Sequence, residues 1–248
     1  MKLAVCISGF MRTYEETAHS LHENLLKPLA EDDEYDIFIY TSTEDDMSSQ
    51  CLKRSSEAPL KPRTLTKADL EKIQSIYKPK LIAFDSLNEP SGLDRTPMLR
   101  RIYECNNLRK KFQVENSIDY DAVIRVRPDT FFTEKIEKEV VKNITDNEII
   151  LFKYGCHSGG YYDGFSIAKD SVMNVYSDLY FYSPGIRKRF GDYHVKIEKN
   201  LKYYIEANGL DVKLIDYPTY TLRSWGQKYT FFDQDPLTYK FVPGKIHV

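Results

Sequence analysis

The sequence predicts an α/β fold: a single domain over residues 1–248 with a mostly parallel central sheet flanked by helices. Three observations carry this expectation. A β-α-β order is complete within the first 41 residues, short apolar runs keep alternating with helical stripes further along, and no repeat period, low-complexity tract or composition shift divides the chain. A chain of 248 residues can bury roughly 70% of its unfolded surface, so a full core is expected.

Leu3-Ala4-Val5-Cys6-Ile7 is a continuous apolar run that stops at Ser8-Gly9, the form of a buried parallel strand ending in a tight turn. Ala18, Leu21, Leu25 and Leu29 recur at helical spacing, and Pro28 falls where that helix should fail. The second strand is expected over Asp36–Thr41. Glu44 to Thr66 is polar, rich in Ser and Lys, and contains Pro59 and Pro62, so it reads as a long loop. A helix over Lys67–Tyr77, a strand over Lys80–Phe84 and a loop over Asp85–Pro97 follow. Met98, Ile102, Cys105, Leu108 and Phe112 form an apolar helical stripe, and the surrounding Arg100, Arg101, Arg109, Lys110 and Lys111 are expected to be mostly solvated. Strands are expected over Tyr120–Arg127 and Glu148–Phe152. Val172, Tyr176 and Leu179 mark a helix ending near Pro184-Gly185, and Ile197, Leu201, Tyr204 and Ile205 mark another, closed by Gly209. The last expected strand is Asp211–Ile215, and beyond Pro218 the pattern weakens into an aromatic tail.

The formal charge of -2, from 35 basic and 37 acidic side chains, gives no excess positive field with which to hold a polyanion, so nucleic acid is not an expected partner. Cys6, Cys51, Cys105 and Cys156 form no C-x-x-C pair, which fits reduced thiols in a cytoplasmic protein. The opening apolar stretch, broken by Ser8-Gly9 and ended by Arg12, is too short for a signal-peptide core or a spanning helix, and no transmembrane segment is expected.

The most informative stretch is Asp121 to Asp129, Asp-Ala-Val-Ile-Arg-Val-Arg-Pro-Asp. Side chains alternate across a strand, so Arg125, Arg127 and Asp129 should point one way while Ile124 and Val126 point the other. Arginines inside an apolar strand are costly unless they are paired or face an anion. Pro128 removes a backbone donor and should end the ladder, leaving Asp129 at the strand's carboxyl edge, where open α/β sheets bind ligands. A carboxylate there, beside cations, can hold a hard divalent ion that also binds phosphate oxygens. Arg125 and Arg127 would then anchor the phosphates or pair with neighbouring carboxylates. An internal Arg-Asp network without a metal is an equal alternative.

Ala4-Val5-Cys6-Ile7-Ser8-Gly9 with Arg12-Thr13, the block from Tyr120-Asp121 to Arg127-Pro128-Asp129, and Asp163-Gly164-Phe165 together resemble the small GT-A-type glycosyltransferases of bacterial polysaccharide loci and large algal viruses. The resemblance runs from the first strand to about Arg223. It implies a GT-A-like, Rossmann-like fold and a nucleotide-diphospho-sugar donor, with a UDP-sugar favoured. It also implies metal-assisted transfer to a hydroxyl of a glycan or glycoprotein acceptor in the cytoplasm, or the host cytoplasm for a viral protein. Mn²⁺ or Mg²⁺ would be held by an Asp-x-Asp-type motif. Here arginine stands at the motif's first position, so only Asp129 carries over as a metal ligand, and Arg127 could take over part of the cation's role.

Beside that resemblance, Ser8-Gly9 permits close backbone approach by a nucleotide, with Arg12 within reach of a pyrophosphate; otherwise Gly9 makes only a turn and Arg12 is solvated. In His157 to Asp163, Gly159-Gly160 allows close approach, Tyr161 or Tyr162 can pack on a sugar face, and Asp163 could deprotonate an acceptor hydroxyl. Glu198, near the start of its helix, is the second candidate for the acceptor side, and Arg223 could close over the diphosphate. Two other classes compete: another phosphate-handling enzyme, such as a sulfo- or nucleotidyltransferase, and a non-catalytic nucleotide- or carbohydrate-binding module.

Overall fold

A computed structural model describes residues 1–30, 34–43, 64–85, 97–153, 159–189, 197–222 and 228–230. The chain opens with β1 (Leu3–Ser8) and a continuous helical run made of α1 (Tyr14–Ser20), a π-helical stretch (Leu21–Leu26) and α2 (Lys27–Ala30). Then come β2 (Tyr35–Ser42), α3 (Lys67–Tyr77), β3 (Leu81–Asp85), α4 (Pro97–Asn116), β4 (Ala122–Val126) and β5 (Thr130–Phe132). The order continues through α5 (Glu139–Lys142), β6 (Glu148–Phe152), β7 (Phe165–Ala168), α6 (Asp170–Arg189) and α7 (Ile197–Ala207). It ends with β8 (Asp211–Ile215), β9 (Thr219–Leu222) and β10 (Lys228–Thr230).

Among the described residues the main sheet has seven strands in the order β3-β2-β1-β4-β7-β6-β8. β3, β2, β1 and β4 are mutually parallel, β7 runs antiparallel to both neighbours, and β6 and β8 are parallel again. The α/β class with a mostly parallel sheet is thus the one expected. Period-two alternation sorts each central strand onto two cores. Leu3, Val5, Ile7, Ile37, Ile39, Ile124 and Val126 meet Ala18, Leu21, Leu25, Leu29 and Ile73 on one face. Ala4, Cys6, Phe38 and Val123 meet Ile102, Cys105, Val172, Tyr176, Leu201 and Ile205 on the other. Helices therefore cover both sides, which is why β1 and β4 are buried at every position.

β7 was not expected, because Phe165–Ala168 is only four residues long and reads as the approach to a helix. The short strands β5, β9 and β10, which form a second sheet, lie in stretches where the apolar pattern is weak. α6 also continues past Pro184. Ser183 beside it is buried and accepts a hydrogen bond from Asn200 Nδ2 at 3.2 Å, which ties this part of the helix to α7. The expected loops over Glu44–Thr66 and Asp85–Pro97 lie mostly outside the described residues, as do Cys51 and Cys156.

Candidate functional site

The chain leaves β1 toward β2 and β3 on one side and returns to β4 on the other. This reversal makes the carboxyl ends of β1 and β4 a topological switch point, the place where open α/β sheets take their ligands. The parallel register pairs Cys6 with Arg125 and Ile7 with Val126, so the next step brings Ser8-Gly9 level with Arg127-Pro128. Gly9 has φ of 140°, and a Cβ on it would lie 3.2 Å from Pro128 Cδ. The positive φ favours glycine here, and the close approach of the protein's own proline adds to that preference.

Pro128 does end the strand, but one residue earlier than expected, and the side chains beyond it do not share a strand face. Thr130 N–H donates to the Arg127 carbonyl at 3.3 Å, closing a β-turn with proline at its second position, where a preset φ is favoured. This turn folds Asp129 back onto Arg127. Arg127 Nε and Nη2 donate to Asp129 Oδ1 at 2.8 Å and Oδ2 at 2.6 Å, a bidentate fork. Burial disfavours the Arg127 charge, yet the Asp129 carboxylate outweighs burial and holds the guanidinium protonated above its ordinary range. The turn is clamped from both sides: Thr17 Oγ1 donates to the Pro128 carbonyl, and Leu222 N–H donates to that of Asp129 at 2.9 Å.

Arg125 has a different environment. It is 1% exposed; its Nε donates to Ser8 Oγ at 3.1 Å, and its Nη1 donates to the Asp163 main-chain carbonyl. Nη2 is buried with no hydrogen-bond partner, and among the described residues Arg125 makes no ion pair. Its charge is met only by neutral acceptors.

Asp163 is buried at the lip, one residue before Gly164, whose carbonyl accepts from Arg127 N–H at 3.2 Å. Burial raises the phenol pKa of Tyr162 and Tyr176, and the nearby Asp163 adds to it. Glu198 is half-buried in the first turn of α7, and its carbonyl accepts from Tyr161 N–H at 2.9 Å. A Cβ on Gly160 would fall 2.1 Å from the Glu198 carbonyl carbon, so only glycine lets this segment lie on the helix. The two carboxylate candidates thus sit on segments fastened to each other. Arg12 lies with its guanidinium 5.1 Å from the Phe10 ring centre. Arg223 falls outside the described residues, as do His157 and Ser158.

Sequence reasoning missed the burial of two arginines of α4. Arg101 and Arg109 were expected in solvent, yet both are fully buried. Arg101 Nε donates to both Asp85 carboxylate oxygens at 3.1 Å, and its guanidinium lies 4.1 Å from the centre of the Phe10 ring. Asp85 ends β3 and Phe10 follows β1, so this pair fixes the chain around the first turn. The available signal was spacing: Arg101, Cys105 and Arg109 are four apart and share one row of α4 with a core cysteine.

The fit of a divalent ion at Asp129 can be tested on this geometry. Both carboxylate oxygens are already engaged by Arg127, so an ion there would stand beside a fixed guanidinium charge. Among the described residues no group of three His, Cys, Asp or Glu side chains is arranged to hold a metal. The donor set does not fit Mn²⁺ or Mg²⁺ as a resident ion.

No described helix is long and apolar enough to cross a membrane. The model of one family, described as Domain of unknown function (DUF7796), matches residues 1–217. No curated protein matches the chain.

Proposed function

We propose that this chain, which belongs to the DUF7796 family, is a glycosyltransferase that uses a nucleotide-diphospho-sugar donor, with a UDP-sugar favoured. The acceptor is a hydroxyl of a glycan or glycoprotein. The observation that carries the proposal is the switch point between β1 and β4, edged by Gly9 and the Arg127–Thr130 turn and underlain by the buried charge of Arg125. A switch point of this kind, with one guanidinium at its edge and another beneath it, suits a diphosphate. The sequence resemblance to GT-A-type enzymes supplies the sugar. The proposed setting is the cytoplasm, where free thiols such as those of the buried Cys6 and Cys105 persist.

In the reaction, an acceptor oxygen forms a bond to the sugar's anomeric carbon as the bond from that carbon to the diphosphate breaks. The diphosphate leaves with the electron pair, and the acceptor proton passes to a carboxylate, with Asp163 first in order and Glu198 second. The chain's contribution is to hold donor and acceptor in line and to set positive charge where the diphosphate gains negative charge. No step is routed through a metal, because Asp129 is committed to Arg127.

Thermal unfolding in the presence of UDP-, GDP- and dTDP-sugars and of adenosine 3'-phosphate 5'-phosphosulfate tests this reading. A cognate donor at a hundredfold excess over its Kd should raise Tm by roughly 5–10 °C. A shift with the sulfonate donor alone would make the protein a sulfotransferase, and a shift with no nucleotide would remove the donor site.

A further inference from the structure

The two arginines of the β4 segment divide positive charge unequally. Arg127 is neutralised by Asp129, whereas Arg125, two residues earlier, keeps a full buried charge that no carboxylate contacts among the described residues. A buried, uncompensated guanidinium is unfavourable until an anion arrives. Ser8, one of its neutral partners, is itself 1% exposed, so the charge lies beneath the lip.

Arg127 complements it at the surface of the lip. Its side chain is 18% exposed, Nε and Nη2 are held by Asp129, and Nη1 makes no hydrogen bond among the described residues. A guanidinium fixed on two of its nitrogens presents the third in a set direction, so little freedom is lost when an oxyanion binds there.

Resting on the glycosyltransferase reading, we infer that these two guanidiniums bind the donor diphosphate without a divalent ion. Arg127 Nη1 is the donor, Arg125 is the buried charge beneath it, and Asp129 is a positioning residue for Arg127. In this arrangement the carboxylate at the end of β4 aims a fixed organic cation in place of a metal.

The test is calorimetric binding of UDP and of inorganic pyrophosphate to the whole chain, first in EDTA and then with Mn²⁺. Binding in EDTA, changed less than about threefold by Mn²⁺, is the expected result. Arg127→Lys keeps the charge but not the fork and should weaken binding about tenfold or more. Asp129→Asn, which can hold the guanidinium through only one oxygen, should give a smaller loss in the same direction. Thermal melting of each variant separates lost binding from lost folding. Binding that appears only with Mn²⁺ and disappears in Asp129→Asn would overturn the inference while leaving a nucleotide site standing. Binding of neither probe under either condition would overturn the glycosyltransferase reading as well.

Discussion

Asp163 reaches the lip by two routes: its main-chain carbonyl holds Arg125, while its carboxylate is the leading candidate to take the acceptor proton. Asp163→Asn separates the two, because the amide leaves the carbonyl in place and removes only the base. Turnover, measured as acceptor glycosylation, should fall roughly 10²- to 10⁴-fold while donor affinity by calorimetry changes little. Equal loss of both would move Asp163 to donor binding, and unchanged turnover would pass the role to Glu198. At this scale the sequence was informative about need and silent about partners. Two arginines inside an apolar run called for partners: Arg127 has a carboxylate, whereas Arg125 has only neutral acceptors. Alternation suggested that Arg125, Arg127 and Asp129 share a face, but the turn at Pro128 breaks alternation and makes a fork instead. The partner of Arg125 lies 38 positions along the chain, a distance no local pattern reports. Gly9 was flagged as a place of close approach, which it is, although the approaching group is Pro128.

Between elements, the polar network of α4 and α6 does for the helix layer what the Arg127 fork does for the turn. Arg109, fully buried, donates through Nε to Asn106 Oδ1 at 2.9 Å, through Nη1 to Gln113 Oε1 and Asp170, and through Nη2 to Asn174 Oδ1 at 2.9 Å. Asn106 Nδ2 in turn donates to Asn174 Oδ1 and Ser177 Oγ. Every nitrogen of the guanidinium is satisfied, so truncation strands several acceptors at once and leaves a cavity. Arg109→Ala should cost about 3–5 kcal/mol and lower Tm by roughly 10 °C. UDP affinity of the fraction that folds should not change, since Arg109 bonds only residues of α4 and α6. A variant as stable as the parent would show that the network is not what joins the helices. Elements were legible where burial leaves a continuous or periodic apolar signal: β1, β6, β8 and α3 fall where the sequence put them. β5, β7, β9 and β10 are three or four residues long, too short for a period to register, and β5, β7 and β9 owe pairing to partners far away in sequence. The buried arginines of α4 were misplaced because a charged residue beside an apolar stripe normally faces water. Only the facing Asp85 and Asp170 make their burial affordable.

Over the whole molecule the abundant tyrosines, 19 in the sequence, couple stability to alkaline pH. Tyr77, Tyr120, Tyr162, Tyr176 and Tyr204 are buried in both cores, and burial raises the pKa of each phenol above the ordinary value near 10. Tyr204 is pushed up to about 12. Tyr120 is raised first by burial and then by Asp36, whose Oδ2 accepts its hydroxyl at 2.8 Å. In the unfolded chain these groups lose their protons near pH 10, while the folded protein retains them, so above that pH the folded state binds more protons than the unfolded one. The slope of unfolding free energy with pH is then negative, about 1.4 kcal/mol per pH unit for each tyrosine still protonated only in the folded state. Stability from this source is fully present below about pH 9 and declines steeply from pH 10 toward 12. Urea melts from pH 8 to 11 should show that decline, with phenolate absorbance near 295 nm appearing together with unfolding. Tyr77→Phe, which gives up only the hydroxyl bonded to the Tyr14 carbonyl at 3.1 Å, should make the decline shallower by about one proton's worth. Phenolate absorbance that rises to completion near pH 10 while the protein stays folded would mean that these rings are open to solvent, contrary to their place between the sheet and its helices.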